Sequence, residues 1–163
     1  MSKIITLNIS TDNVDSRLEG ETFQKMMDLC FAKATSFSLS RYGNPGIIYN
    51  IERLLMPYKI KELMVNDWFG YMGMEKPIRV FLYQANENTK HIIKNHYTDI
   101  FLNCSCFNDL CFFKGKQMFL GTVSHELICA VNLLDESFEQ EVLPLTKWIM
   151  DSKATFGILK EYL

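Results

Sequence analysis

The chain has 163 residues, of which 48% are hydrophobic and 22% charged, with a formal net charge of −2. That length suits one domain, 1–163, and buries enough surface to need neither a disulfide nor a metal for stability. Lysines and arginines are scattered through a slightly acidic chain, which speaks against nonspecific nucleic-acid binding, since that needs a basic footprint.

No stretch approaches the ~20 apolar residues of a membrane-crossing helix, so no membrane span is expected. Met1–Ser10 shows a short apolar alternation and no signal-peptide pattern. The five cysteines, an odd number, suit free thiols in a reducing compartment. The expected location is cytoplasmic.

In chain order, Lys3–Ile9 alternates, with Ile5, Leu7 and Ile9 on one face, which predicts a half-buried strand. Residues 10–20 are polar and predict a loop. From Glu21 the period changes. Phe23, Met26, Met27, Cys30, Phe31 and Ala34 share one face of a helix. Phe37, Leu39 and Arg41 then alternate with Ser36, Ser38, Ser40 and Tyr42. This predicts a strand whose serine face is a solvent-facing edge, with a hydroxyl-lined site as the sharper alternative. Asn44 and Pro45 suit a helix start, and Ile47, Ile48, Ile51, Leu54 and Leu55 suit its apolar face up to Pro57. Residues 60–74 are ambiguous, but the segment Trp68–Met74, aromatic and glycine-punctuated, favours strand or loop over helix.

Ile78–Tyr83 is apolar on both faces and predicts a central strand. Asn86 or Asn88 can cap a helix through Tyr97, with Ile92, Ile93 and His96 inward. Asp109–Leu134 is the organising stretch. Its apolar runs 109–113, 117–123 and 127–133 are separated by polar corners, which predicts a three-stranded antiparallel meander. Ser137 with Gln140 suits a capping box for a last long helix. That helix would bury Phe138, Val142, Leu145 and Ile149 and kink at Pro144. Residues 152–163 suit a short terminal helix. The fold class is α+β: a single domain with a largely antiparallel sheet of five to seven strands, including a C-terminal meander, packed with helices.

Candidate chemistry is sparse. Cys104, Cys106 and Cys111, with His125 and Cys129 further on, resemble a metal set, but the close pair is C-x-C and a second knuckle is missing. No metal or cofactor is expected. A cysteine of 104–111 with His125 or His96 could form a thiol-dependent enzyme, yet no local signature marks the nucleophile. His125-Glu126 lacks the second histidine that a metalloprotease needs at position 129, which is Cys. The ordinary reading of His125 is a turn histidine paired with a carboxylate or carbonyl. No phosphate-binding glycine motif or nucleophile elbow is present.

Acidic residues gather at Asp12, Asp15, Glu19 and Glu21, and again at Asp135, Glu136, Glu139 and Glu141. They suit solvated surface, paired carboxylates for acid–base work, or recognition of a basic partner. Trp68, Phe69 and Tyr71 suit core packing; if exposed, they would serve as contact anchors.

The run Phe112–Glu126, the strand and acidic helix that follow, Trp148, and the segment Phe37-Ser38-Leu39-Ser40 resemble small bacterial immunity proteins of polymorphic or contact-dependent toxin systems. The resemblance implies a non-catalytic protein that neutralises a toxin by direct binding. Contact would be made through Asp12, Asp15, Glu19, Asp135, Glu136 and Glu139, with Trp68 and Tyr71 as anchors. A structural or regulatory subunit is a further alternative.

Overall fold

The computed structural model describes residues 3–8, 17–102, 106–150 and 161–163. Among them the elements run β1 (Lys3–Asn8), α1 (Glu21–Lys33), β2 (Ser36–Arg41), α2 (Asn50–Leu55), β3 (Lys59–Val65), β4 (Ile78–Gln84), α3 (Glu87–His96), β5 (Phe107–Lys114), β6 (Gln117–Val123), β7 (Ile128–Leu133), α4 (Glu136–Val142) and β8 (Ile149–Met150). The strands form one eight-stranded sheet in the order β3-β4-β2-β5-β6-β7-β1-β8. Every pairing is antiparallel. The α+β class therefore holds, with one strand more than expected. The addition is the two-residue β8, formed where the last helix was expected to continue through Ile149.

Period-two alternation splits the core across the sheet. On one face Ile5, Leu7, Phe37, Leu39, Phe81, Tyr83, Phe112 and Val131 meet the buried stripe of α1, which is Phe23, Met26, Met27, Cys30 and Phe31. Ile51 and Leu55 of α2, Ile93 of α3, and Phe138 and Val142 of α4 join the same cluster. Each such apolar side chain contributes about 1.5–3 kcal/mol on burial. On the other face Ile4, Ile78, Val80, Leu82, Cys111, Phe113, Met118, Val123 and Ala130 pack against Trp68 and Phe69. This second layer contains no described helix. It is closed by the β3–β4 connection and by Tyr162 and Leu163.

The meander forms as expected, in β5, β6 and β7, and β4 is an interior strand. Several readings need correction. All of β2 is buried, between β4 and β5, so its serines do not face solvent. Ser38 and Ser40 are fully buried, because the 66–77 connection covers that face. The helix after Pro45 begins only at Asn50. Asn44 instead makes a turn, its Oδ1 accepting from Gly46 N–H at 2.8 Å.

His96 is exposed, its ring 2.8 Å from the Ile92 carbonyl oxygen, not turned inward. The cap of α4 is Asp135, whose Oδ1 accepts from Phe138 N–H at 2.8 Å, in place of Ser137. Ile149 is exposed. The helix reading at the C terminus falls mostly on 151–160, outside the described residues.

Candidate functional site

The second sheet face carries a polar cluster that begins with a backbone irregularity. The β2–β5 register shifts between Ser38 and Ser40, and Asp109 sits at φ 56° in the left-handed region. Asp tolerates that region better than most residues. A bulge re-aims the side chain of its strand, and here it turns a carboxylate into a position with no solvent exposure.

The carboxylate is fully engaged there. Asp109 Oδ1 accepts from Ser124 N–H at 2.8 Å. Oδ2 accepts from Tyr42 Oη at 2.7 Å and from Tyr71 Oη at 3.1 Å. The Asp109 N–H donates to Ser124 Oγ at 2.9 Å. His125 Nδ1 lies 3.2 Å from Tyr71 Oη, and His125 Nε2 lies 3.8 Å from Glu126 Oε1. Among the described residues no ion pair reaches Asp109.

Each tyrosine is set in place by its own local structure. Tyr71 comes from a connection folded on itself. Met74 N–H donates to the Asn66 carbonyl at 3.0 Å, and Asn66 Nδ2 donates to the Met74 carbonyl at 2.7 Å. Trp68 and Tyr71 exchange backbone bonds at 2.9 and 2.8 Å. The turn between them needs Gly70 at φ 81°, where an added Cβ would run into Val123. Trp68 and Phe69 plug the sheet. Phe69 lies so close over Gly121 that a Cβ there would sit 2.7 Å from its ring. With its neighbours anchored, Tyr71 reaches Asp109, and Met72 is left 88% exposed.

Tyr42 follows Arg41, whose buried guanidinium is a clamp. It donates to Glu52 Oε2 at 2.7 Å and to the carbonyls of Gly43, Asn44 and Ile47 at 2.7, 3.1 and 2.6 Å.

The phenols are donors, not bases. Burial, with the charge of Asp109 adding to it, pushes Tyr42 up to about 12. Burial first, then the bond to Tyr42 and the charge of Asp109, push Tyr71 far above the ordinary tyrosine value. Both remain protonated at neutral pH.

The sequence-expected residues do not form one site. Trp68 is buried in the second layer, whereas Tyr71 is half-buried at its rim. Asp135, Glu136 and Glu139 belong to α4, on the opposite face. There they line an open depression of about 580 Å³ with Lys3, Leu133 and Leu143. Asp135 Oδ2 accepts from Lys33 at 2.9 Å, which holds that carboxyl below its ordinary range together with the Phe138 N–H. Glu139 accepts from Lys3 at 3.0 Å. Glu19 bridges to Asp99 through backbone and sits 4.0 Å from Arg17. Asp12 and Asp15 lie outside the described residues, as does Cys104.

Cys106 and Cys111 are buried, and burial pushes the Cys111 thiol up to about 12. Cys30 and Cys129 are raised by burial as well. A thiol in that state is not a ready nucleophile. His125 is bonded to Tyr71 and faces Glu126, in keeping with the turn-histidine reading. Among the described residues no group of three or more His, Cys, Asp and Glu side chains could hold a metal ion.

Sequence reasoning passed over Asp109, Tyr42 and Ser124. The one available signal was a carboxylate inside an apolar strand run, where an acid is costly unless partnered. No family model, curated protein or solved structure matches this chain.

Proposed function

We propose that this protein is a non-catalytic binding protein that contacts a partner protein through the surface formed by Tyr42, Tyr71, Met72 and His125. The observation that carries this reading is the pair of tyrosines tied by their hydroxyls to one buried carboxylate. Half-exposed aromatic side chains with little rotamer freedom left lose little entropy on binding, and interface hot spots favour such residues. Met72, held out at 88% exposure between two positive-φ glycines, adds an adaptable apolar knob. The acidic residues of α4 are a weaker contact surface, because Lys3 and Lys33 already neutralise two of them.

The resemblance to immunity proteins supports a toxin as the partner, neutralised by direct binding in the cytoplasm. The test is purification of the chain together with the protein encoded beside it. A stoichiometric complex that weakens at least tenfold with Tyr71→Ala or Met72→Ala, and not with Glu139→Gln, is the expected result. No association at micromolar concentration contradicts the reading.

A further inference from the structure

We infer that the free edge of β3 pairs with the same edge of a second copy of this chain, antiparallel and centred on Leu63, so that two sheets become one. This pairing does not rest on the tyrosine surface proposed above.

The two ends of the sheet are finished differently. At one end β8 is only two residues long, which leaves little backbone to pair with. At the other end β3 has seven residues, and among the described residues it pairs only with β4. A bulge between Lys59 and Lys61 interrupts its start, and the ladder then runs regularly from Lys61 to Val65. Alternate N–H and C=O groups of that run face away from β4. The strand is also apolar without cover, with Ile60 49% and Met64 63% exposed. Another strand completes such an edge, because extended backbone presents its donors and acceptors at the same repeat.

The edge is its own complement. Two identical edges pair antiparallel about a two-fold axis normal to the sheet, so each residue meets one from the same face. Lys61, Leu63 and Val65 lie opposite Leu82, Val80 and Ile78, on the face of the second layer. Glu62 and Met64 lie opposite Phe81 and Arg79, on the face that carries the helices. Centring the pair on Lys61 or Glu62 sets like charges directly opposite, which is destabilising. Centring it on Leu63 sets leucine on leucine, Glu62 on the second copy's Met64, and Lys61 on the second copy's Val65. No like charges meet, and the whole regular run is paired. Lys59 and Arg79 both hold Glu62, whereas Lys61 has no ion pair among the described residues. Its diagonal neighbour across the axis is the second copy's Asp67, an exposed acid within reach of a long side chain.

Sedimentation equilibrium on the whole chain, from micromolar to millimolar concentration, tests the pairing. The expected result is a monomer–dimer equilibrium, weak because one added strand covers little surface. Alternate amides of 61–65 should exchange more slowly as concentration rises. Leu63 packs only partly into the second layer, so a charged side chain there still reaches solvent. Leu63→Lys and Leu63→Glu each put like charges across the axis, and each should weaken the dimer at least tenfold. Mixed in equal amounts they should form a heterodimer, which only folded chains meeting at residue 63 can do. A chain that stays monomeric at millimolar concentration would overturn the inference, as would a dimer whose 61–65 amides exchange unchanged. Single variants that associate like the parent, or a mixture that does not associate, would overturn it too. Slower exchange at 61–65 only when the neighbouring protein is added would give the edge to that protein and equally overturn it.

Discussion

Asp109 and Ser124 bind each other twice, backbone to side chain in both directions, at 2.9 and 2.8 Å. This reciprocal clasp ties the bulge of β5 to the turn that carries His125, and it fixes the carboxylate on which the tyrosines converge. Ser124→Ala leaves the buried Asp109 N–H without its acceptor and is expected to lower stability by about 1–3 kcal/mol. Asp109→Ala should cost more, because it strands the Ser124 N–H and removes the acceptor of both phenols. The two losses should be non-additive in a double-mutant cycle read by denaturant unfolding, since they share bonds. Simple additivity would mean the clasp is not a unit.

Gly121 governs the seat of the 66–74 connection. Gly121→Ala pushes a methyl group into the Phe69 ring, at an expected cost of about 1–3 kcal/mol from overpacking. It should also loosen Trp68, now 2% exposed, and so shift tryptophan emission to the red. A variant with unchanged emission and stability would show that Phe69 does not rest on that glycine.

Arg41→Lys keeps the charge but not the fork. Lysine cannot hold Glu52 and the carbonyls of Gly43, Asn44 and Ile47 together, so a loss of about 2 kcal/mol is expected, measured by chemical denaturation. The ring signals of Tyr42 should broaden or move as its anchor slackens. A variant as stable as the parent would mean the clamp is dispensable.

Alkaline pH should unfold the protein. Below pH 9 the Cys111 thiol is protonated in both folded and unfolded chains, and its contribution is constant. Between its ordinary value of 9.0 and the raised value of about 12, the unfolded chain loses the proton first. Stability then falls by about a kcal/mol per pH unit for this one group. Tyr42 acts in the same direction between 10.0 and about 12, weakened by its exposure to solvent. The unfolding midpoint temperature should drop steeply over this range, and Cys111→Ala should make the slope shallower. An identical slope in that variant would remove Cys111 from the account. Alkylation with iodoacetamide at neutral pH, mapped by mass spectrometry, should leave Cys30, Cys106, Cys111 and Cys129 unmodified; rapid labelling of any of them would revive thiol chemistry.

Patterns local to the chain were legible. The meander showed through its apolar runs and polar corners, and α1 through its 3.6-residue stripe. What escaped depends on contacts distant in sequence. Alternation of serine with phenylalanine and leucine in β2 reads as one wet face. That face is dry only because Trp68 and Phe69, some thirty residues later, fold over it. Tyr42, Tyr71 and His125 lie far apart in sequence and meet only through a bulge that no local pattern announces. The capping of α4 by Asp135 over Ser137 was a choice between adjacent good caps, which a strand ending at Leu133 decides.

Hydrogen exchange on the complex with the neighbouring protein tests the central claim most directly. The account predicts new protection over 69–73, at 42–43 and over 124–127, with α4 unchanged. Protection confined to 135–143, with the tyrosine surface exchanging as in the free chain, would contradict it.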